Sequence, residues 1–353
     1  MPLPTIGGAP VVRLVAPADD GARFLHADIA PGRGMLLLQA TARIPHLGDI
    51  GVIASPPLTT MARRLDGGPE DFAGNAAFAF GGAVLAPYAN RIRGRLNAEA
   101  RTIETRVLDK AVNLPANWGG KAPGAETYAM HGLILDRPVD ALEVSLDGTS
   151  ATGLIRAQDF GGRWPGQTTL AITWTLSAKG LAVTVKATNV GAEPSPIGLG
   201  WHPYLAFPSG RRAQARLKLP AKSRSIVNNY DEVLPTGDIA PVAGTAYDFT
   251  RGAALADLYL DDCFTDLIRT EDGEVVVEMA DPEAEYAVRL ISRSPDVIAL
   301  QTYAPLDQAF IAVEAQFNLA DPYGAAWRGR DTGMVVLDPG QTTTYDARIE
   351  LDG

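Results

Sequence analysis

The stretch TTLAITWTLSAKGLAVTVKATNV, residues 168–190, restricts the possible folds more than any other part of the chain. Large apolar residues occupy every second position over residues 170–176 and again over residues 181–185. A short segment that contains lysine and glycine, residues 178–180, separates the two runs. A period of two on either side of such a turn predicts an antiparallel hairpin with one buried face.

Further segments have the composition of strands, and convincing amphipathic helices are scarce. These strand segments begin at Gly34, Thr102, Ala141, Gly273, Tyr286 and Thr342. Glycine (36 residues) and proline (26 residues) are spread along the chain, which suits many strands and turns better than a helical bundle. Short helical turns are expected at residues 56–65 and 251–260. The sequence therefore predicts an all-β fold, a large antiparallel β-sandwich, as a single domain over residues 1–353.

Charge and cysteine content narrow the classes of function. The chain has 353 residues and a formal net charge of −10, which argues against nucleic acid or an anionic membrane as a partner. The single cysteine, Cys263, leaves no intramolecular disulfide and no cysteine-based metal site. The N-terminal segment lacks a signal-peptide pattern, and no stretch has the roughly 20 apolar residues of a membrane span. We therefore expect a cytoplasmic protein that binds a neutral small molecule.

Two of the four histidines stand in unusual surroundings. His26 and His46 lie among ordinary strand and loop residues and are expected at the surface. His131 lies in MHGLILDRPV, and His202 lies in the aromatic stretch GLGWHPYLAF. By itself, each of these two would more often be structural than catalytic. No cluster such as His-x-Glu-x-His occurs, so the spacing predicts no zinc site.

Three further segments carry polar side chains that a purely structural role explains less well. Asn90 and Arg91 lie in an expected loop, APYANRIRGR, where amide and guanidinium groups can bind hydroxyls or an oxyanion. Asp261 and Asp262 in LDDCF are as easily explained by a solvated turn. Glu314 interrupts the apolar run FIAVEAQF, where a half-buried carboxylate is costly unless it is paired or useful.

Together these polar residues suggest a type of reaction. A half-buried Glu314 has a raised pKa and can serve as a base, and His202 can serve as an acid near neutral pH. Asparagine, arginine, aspartate, glutamine and a second histidine offer hydrogen bonds to a polyol. The set fits acid/base chemistry on a sugar, with no metal, no cofactor and no covalent nucleophile.

Several motifs occur in the order seen in the aldose 1-epimerases, or galactose mutarotases. They are PYANRIRG, MHGL, GWHPYL, LDDCF, LQTYAP and VEAQFNLADP, followed by the closing VVLDPGQTTTYDARIEL. No single motif is highly specific, but this many in the same order make a strong signal, so the chain resembles the family from Gly34 to its C-terminus. The resemblance implies a galactose mutarotase-like supersandwich, with the sugar bound in a cleft across one face of a large antiparallel β-sandwich.

The resemblance also implies roles for individual residues. It makes Glu314 the general base that takes the proton of the anomeric hydroxyl, and His202 the general acid that protonates the ring oxygen. The residues implied to bind the sugar are Asn90, Arg91, His131, Gln301 and Asp261. Asp261 is preferred to Asp262 because the family pattern Asp-x-x-Phe ends here at Phe264. Tyr204 is expected to bind as well, through ring surface offered to the apolar face of the sugar.

Other functions remain open on the sequence alone. A non-catalytic carbohydrate-binding protein on the same fold would use the aromatic rings but would not need Glu314 to face a histidine. A glycoside hydrolase would pair two carboxylates, and Asp261 is a candidate partner. An epimerase of phosphorylated hexoses would need basic residues, for which residues 91–95, RIRGR, give the only support. The sequence leaves open which aldose is preferred and is compatible with a monomer or a homodimer.

Overall fold

The computed structural model of the chain, which describes residues 3–19, 21 and 23–351, contains two large antiparallel sheets. The first sheet contains, in spatial order, Ala141–Val144, Ser150–Gln158, Thr168–Leu176, Gly180–Asn189, Thr342–Leu351, Tyr286–Ser292, Val275–Asp281, Arg216–Lys218 and Ala253–Ala254. The second sheet contains Pro235–Pro241, Ala221–Val227, Leu260–Leu267, Ala299–Ala304, Phe310–Gln316, Gly200–His202 and Ala83–Leu85, with Tyr204–Ala206 also paired to Phe310–Gln316.

Smaller sheets and short helices surround these two sheets. The smaller sheets consist of Val12–Val15, Arg23–Ala30, Leu36–Ile44 and Gly48–Gly51; of Arg95–Asn97, Thr102–Val107 and Lys110–Pro115; of Trp118–Gly119, Thr127–Met130 and Arg91–Ile92; of Thr5–Ile6 and Ala9–Pro10; and of Ser195–Ile197 and Val335–Leu337. An α-helix spans Leu58–Arg64, and 3-10 segments span Pro31–Arg33, Pro69–Ala79, Arg212–Gln214, Pro282–Ala284 and Ala325–Trp327.

The hairpin predicted from residues 168–190 is confirmed, and its buried face helps to form the core. Its strands are Thr168–Leu176 and Gly180–Asn189, paired in continuous antiparallel register. The large apolar residues at every second position of the first strand are at most 1% exposed. Trp174 packs edge-to-face on Trp201 of the second sheet, with ring centroids 5.4 Å apart. Burying one large apolar side chain stabilises a fold by about 1.5–3 kcal/mol, so this pattern fixes which face of the hairpin turns inward.

The all-β class and the antiparallel β-sandwich are confirmed, and each predicted strand segment contains an observed strand. The helical turn expected at residues 56–65 is also confirmed, as Leu58–Arg64. The helical turn expected at residues 251–260 is wrong. Gly252 and Ala256 have positive φ angles of 79° and 46°, and no right-handed helix can continue through such residues. Ala253–Ala254 instead forms an edge strand of the first sheet.

Two expectations concern the whole chain: that no segment spans a membrane, and that residues 1–353 form a single domain. Among the described residues, no helix is long and apolar enough to cross a bilayer. The assignment of residues 1–353 to a single domain stays a prediction.

Candidate active site

A cavity of about 640 Å³ lies on the second sheet, on the face turned away from the first sheet. Strands of the second sheet form its floor, and the loops and short segments that follow other strands form its walls. The residues predicted as site residues all line this cavity or bond directly to residues that do. Those in its lining are Arg91, His131, His202, Tyr204, Asp261, Gln301 and Glu314. Asn90 lies behind them and donates to Gln301.

The alternation of side chains along strands brings these distant motifs together. Asp261, Gln301 and Glu314 lie on three adjacent strands and face the cavity. Gln301 lies directly opposite Glu314 in the strand pairing. Their sequence neighbours Leu300 and Val313 belong to the hydrophobic core on the opposite face. Because side chains alternate with a period of two, the strands that direct their apolar residues into the core direct the polar residues between them into the cavity.

His202 and Glu314 form a buried pair at the floor of the cavity. His202 Nε2 lies 3.3 Å from Glu314 Oε1. Burial lowers the pKa of His202 to about 4. Burial also raises the pKa of Glu314 well above its usual value, with the charge of Asp261 adding to the rise and that of Arg91 opposing it. Both shifts favour the uncharged forms, so a single proton held by the pair is more stable on the carboxyl group than on the imidazole.

Glu314 is more deeply enclosed than its sequence suggests. The sequence predicts a half-buried carboxylate, but the residue is only 1% exposed. Its Oε2 has no hydrogen-bond partner among the described residues. A buried oxygen without a hydrogen-bond partner in the protein is costly. It is therefore available to a ligand that brings a hydroxyl group.

His131 packs beside this pair. Its ring is perpendicular to that of His202, with centroids 4.9 Å apart. The backbone N–H of Asn90 donates to His131 Nδ1 over 3.2 Å, so the proton of the neutral ring lies on Nε2. Burial, with His202 and Arg91 as further causes, lowers the pKa of His131 well below its usual value. His131 is thus a neutral hydrogen-bond donor at this depth.

Asn90, Arg91, Asp261 and Gln301 are joined in a closed ring of hydrogen bonds. Asn90 Nδ2 donates to Gln301 Oε1 over 2.9 Å, and Gln301 Nε2 donates to Asp261 Oδ1 over 2.7 Å. Arg91 completes the ring by donating to Asp261 Oδ2 over 3.3 Å and to Asn90 Oδ1 over 2.9 Å. All four residues are buried. The ring fixes the orientation of both amides before a ligand arrives.

Asp261 and Asp262 lie in the strand Leu260–Leu267, and the solvated turn expected for them is wrong. Both are buried because this strand lies inside the second sheet rather than at a turn. Asp261 faces the cavity. Asp262 points the other way, where Arg224 Nη1 and the Tyr230 hydroxyl donate to it over 2.6 and 3.0 Å. The period of two therefore separates the two carboxylates.

The basic stretch at residues 91–95 does not form a cationic cluster. Arg91 bonds to Asp261, Arg93 forms an ion pair with Glu126, and Arg95 forms one with Glu104. Arg91 is buried, whereas Arg95 is exposed. The two strands in this stretch, Arg91–Ile92 and Arg95–Asn97, belong to different small sheets, so the three guanidinium groups diverge.

The aromatic residues of GLGWHPYLAF have different surroundings. Trp201 is fully buried in the core against Trp174 and does not line the cavity. Tyr204 does line the cavity, and its ring lies 4.9 Å from that of His202 and 4.6 Å from that of Phe310. Of the two rings, Tyr204 is the one placed to meet a ligand.

Several cavity residues have no motif that pointed to them. They are Asn75, Phe78, Trp118 and Tyr259; Tyr303 also lines the cavity and lies in the motif LQTYAP, but no role was predicted for it. Phe78 packs edge-to-face on His131 at 4.8 Å and lies parallel to His202 at 6.5 Å. Tyr303 stands two residues after Gln301 on one strand, so the period of two could have placed it. Phe78 lies in the kinked 3-10 segment Pro69–Ala79 and Trp118 lies in a strand of two residues, so no periodicity reveals the direction of either side chain.

The prediction of no zinc site stays a prediction, although the fold brings together three residues of the ligand type that no sequence spacing connects. Ligand atoms of His131, His202 and Glu314 all lie within 4.8 Å of one another. The spacing rules detect ligands that are close in sequence, whereas these residues come from three separate segments. Ligand atoms around zinc lie roughly 3.3 Å apart, given zinc–ligand distances of about 2.0–2.1 Å. The three side chains would have to move together to reach that spacing.

Comparison with known proteins gives a family and a shared fold. The model of the aldose 1-epimerase family matches residues 60–350. The uncharacterized protein YphB of Escherichia coli (strain K12) is 25% identical over 190 residues, which are 50% of this chain and 58% of that protein. The galactose mutarotase of Sus scrofa is 24% identical over 176 residues, which are 49% of this chain and 46% of that protein. The chain thus spans about half the length of the curated relatives it matches.

Solved structures resemble the chain over nearly its whole length. The GalM/aldose epimerase homologue from C. elegans superimposes with a TM-score of 0.70 and 17% sequence identity. The superposition covers 97% of this chain and 98% of that one. At this identity the likeness shows that the two share a fold.

Proposed function

The chain belongs to the aldose 1-epimerase family, and on that premise we propose that it interconverts the α and β anomers of a neutral aldose. The observation that carries the proposal is the pair of proton carriers, His202 and Glu314, which lie 3.3 Å apart at the floor of a cavity of about 640 Å³.

The proposed reaction moves two protons and breaks one bond. The Glu314 carboxylate takes the proton from the anomeric hydroxyl while the His202 imidazolium gives a proton to the ring oxygen. The bond from the anomeric carbon to the ring oxygen breaks as the carbonyl forms, so no group leaves the sugar. Rotation about the adjacent carbon–carbon bond presents the other face of the carbonyl. Both proton transfers then run in reverse and close the ring as the other anomer.

The protonation of the pair supports this scheme. Each group must act as an acid in one half of the reaction and as a base in the other, so the pair must hold one proton in total. Burial lowers the pKa of His202 and raises that of Glu314, which keeps the pair in this one-proton state over a wide pH range. The uncharged form and the ion pair differ only in which of the two groups holds the proton.

The surrounding residues are suited to hold the sugar hydroxyls. We assign this role to Arg91, His131, Asp261 and Gln301, which offer fixed donors and acceptors in the cavity, with Asn90 orienting Gln301 and Arg91. Tyr204 offers a ring face beside His202. Because these groups are held by one another, they can orient a sugar without a large rearrangement.

The charge of the cavity favours a neutral sugar over a phosphorylated one. Its lining contains three cationic side chains, Arg64, Arg91 and Lys121, and five acidic ones, Glu70, Asp231, Asp261, Asp307 and Glu314. A phosphate carries a charge of about −1.5 to −2 near neutral pH, so it would enter a cavity with an excess of acidic groups. The most buried of the cations, Arg91, is already paired with Asp261.

Polarimetry tests the proposal directly. Freshly dissolved α-D-galactose and α-D-glucose are followed with the wild type, with Glu314→Gln and with His202→Gln. We expect the wild type to speed equilibration and each variant to lose at least about 100-fold in rate, because general acid–base catalysis typically contributes 10²–10⁴-fold. His46→Gln is the control, since His46 is exposed, lies outside the cavity lining and bonds through Nε2 to the Ala284 carbonyl. It should behave as the wild type.

The outcomes separate the other functions from the proposed one. If the wild type binds sugars but no aldose equilibrates faster, the chain is a carbohydrate-binding protein. If it releases new reducing ends from oligosaccharides, and the loss of Asp261 or of Glu314 abolishes this activity, it is a hydrolase. Either result overturns the proposal.

A further inference from the structure

We propose that Asn318 and Asp321, which lie outside the cavity lining, are positioning residues that fix the backbone of the sugar-binding segment, residues 89–93. This inference rests on the proposed function, because that function assigns the sugar hydroxyls to Arg91 and its neighbours. It gives the residues that follow the candidate base, FNLAD at 317–321, a part in orienting the donors and acceptors that meet the sugar.

Asn90 is the residue on which the orientation of the other binding groups depends. Its backbone has a φ of 64°, in the left-handed region that asparagine adopts more readily than most residues. Its side chain bonds to both Gln301 and Arg91. Its backbone N–H donates to His131 Nδ1 over 3.2 Å, and its carbonyl accepts from the backbone N–H of His131 over 2.9 Å. A rotation of this backbone would therefore displace the amide and the imidazole together.

The side chain of Asn318 bonds to both backbone groups of Ala89, the residue before Asn90. Asn318 Oδ1 accepts from the Ala89 N–H over 3.0 Å, and Asn318 Nδ2 donates to the Ala89 carbonyl over 2.8 Å. Asn318 is fully buried, and its Nδ2 also donates to the Leu319 carbonyl over 3.0 Å. The amide thus bonds to Ala89 as a neighbouring strand would in a sheet.

A single peptide unit links Asn318 to His131. The Ala89 carbonyl and the Asn90 N–H belong to the same planar unit and point to opposite sides of the chain. The carbonyl accepts from Asn318, and the N–H donates to His131 Nδ1. That second bond holds the imidazole in the tautomer with its proton on Nε2. Asn318 therefore sets the direction of the donor that determines the tautomer of His131.

Asp321 holds the same segment beyond Asn90. Its backbone N–H donates to the Arg91 carbonyl over 2.6 Å, and its Oδ1 accepts from the Arg93 N–H over 2.9 Å. Asp321 is only 3% exposed, so water does not compete freely for these bonds. Residues 317–321 thus bond to the backbone of residues 89, 91 and 93, on both sides of Asn90.

The segment needs this support because Ala89 lies in no strand. Residues 86–90 join the strands Ala83–Leu85 and Arg91–Ile92. Ala89 is fully buried, and a buried backbone group without a partner is costly. Asn318 supplies partners for both groups of Ala89. The position of a sugar-binding segment therefore depends on a side chain that is itself too remote to touch the sugar.

Histidine ¹⁵N NMR tests the link to His131. Asn318→Leu keeps the branched shape of the side chain but removes both bonds to Ala89. We expect the His131 Nδ1 resonance to shift and both tautomers to be populated, because the Asn90 N–H is no longer held towards Nδ1. Correlations from the ring protons show which nitrogen carries the proton, and the spectrum of His131→Gln identifies the signals of this residue.

The kinetics of galactose mutarotation, followed by polarimetry, test the link to the sugar. In Asn318→Leu we expect KM to rise about threefold to tenfold, because the groups that hold the hydroxyls are displaced. We expect kcat to change less, because His202 and Glu314 bond to none of the displaced backbone groups. Asp321→Asn keeps an acceptor for the Arg93 N–H and should retain the wild-type KM, whereas Asp321→Ala should raise KM.

Asn189→Leu is the matched control for a purely structural effect. Asn189 is also fully buried, and its side chain also makes three hydrogen bonds to backbone groups. It lies in the first sheet and outside the cavity lining. Both leucine variants should lose stability in urea denaturation, but only Asn318→Leu should change KM and the His131 resonances. If Asn318→Leu does not fold, Asn318→Asp replaces it, since a carboxylate keeps the acceptor for the Ala89 N–H and loses only the donor.

The outcomes keep this inference distinct from the proposed function. The NMR comparison needs no substrate, so it decides the role of Asn318 even if no aldose equilibrates faster and the proposed function fails. The inference is wrong if the Asn318 variant leaves the His131 resonances as in the wild type, or if Asn189→Leu changes them equally. In a protein that is active, an unchanged KM in the Asn318 variant also overturns it.

Discussion

His202 and Glu314 lie in surroundings where a charge on only one of the two side chains is unfavourable. Both are buried, and the positive charge of Arg91 opposes protonation of the imidazole while it favours ionisation of the carboxyl group. The two groups are nevertheless within 3.3 Å, so one can be charged when the other takes the opposite charge. Their protons must therefore be counted for the pair and not for each residue.

The pH dependence of mutarotation should follow from this count. Below a pH of about 4, the pKa of His202, the pair holds two protons and has no base, so the rate should fall. Above the raised pKa of Glu314 the pair holds none and has no acid, so the rate should fall again. Between these limits kcat/KM, measured by polarimetry, should be flat, and burial widens that interval at both ends.

The acid limb of that profile distinguishes a buried from a solvated imidazole. Far-UV circular dichroism at each pH confirms that the chain stays folded. A midpoint at or above 6.5, the usual pKa of histidine, would contradict the burial argument. The spontaneous rate at each pH is subtracted, since mutarotation is itself catalysed by acid and base.

The sequence could predict individual site residues only where a motif or a strand period marked them. Glu314 could be found because it interrupts an apolar strand, and His202 because it stands in an aromatic stretch. The structure brings them together and separates Asp261 from Asp262, which the sequence could not do before the strand was known. Phe78 and Trp118 could not be predicted, because their short segments follow no period. Their contacts are between residues that are distant in sequence.

At the scale of elements, the segment Pro69–Ala79 carries Asn75 and Phe78 to the cavity. Asp71 ties the segment to the body of the protein through an ion pair with Arg33, at 2.7 Å and almost without exposure. Gly74 has a φ of 78°, and a Cβ there would lie 2.6 Å from the Leu135 side chain. Two contacts therefore hold the segment in place: the buried ion pair of Asp71 with Arg33, and the close approach of the Gly74 backbone to Leu135.

Asp71→Ala should destabilise the fold by about 3–5 kcal/mol, because it leaves the Arg33 guanidinium buried without its partner. Urea denaturation followed by circular dichroism measures this loss. The double variant Arg33→Met with Asp71→Leu should recover much of it, since two apolar side chains leave no buried charge.

An exposed ion pair provides the control for this prediction. Arg43 and Asp49 form a pair of the same length, 2.7 Å, but their side chains are about half exposed. Asp49→Ala should change the stability little, because solvent screens such pairs. If Asp49→Ala and Asp71→Ala have the same effect, burial is not what gives the Arg33–Asp71 pair its importance.

The strands were the elements that the sequence predicted best, and the irregular segments were predicted least well. Residues 168–190 alternate over enough positions to fix both the hairpin and its inward face. Residues 251–260 have a helix-like composition. Their backbone is not helical because the segment must lead from the edge strand Ala253–Ala254 of the first sheet to the strand Leu260–Leu267 of the second. Tertiary pairing overrides local propensity in a segment that short.

At the scale of the whole molecule, the C-terminal strand connects the first sheet to the strand that carries the candidate base. Thr342–Leu351 lies between Gly180–Asn189 and Tyr286–Ser292 in the first sheet. From this strand the Tyr345 hydroxyl donates to the carbonyl oxygen of Ala315 in the second sheet over 2.8 Å. Ala315 directly follows Glu314, so a contact between the sheets reaches the floor of the cavity.

Tyr345→Phe should therefore destabilise the fold by about 1–3 kcal/mol, because it removes the partner of a buried carbonyl group. Tyr286→Phe is the matched control, since Tyr286 is also buried in the first sheet but its hydroxyl has no partner among the described residues. That variant should be neutral or slightly stabilising, because it removes an unsatisfied polar group. Urea denaturation compares the two. Equal stabilities would mean that apolar packing alone holds the sheets together and that the hydrogen bond of Tyr345 contributes nothing to the position of Glu314.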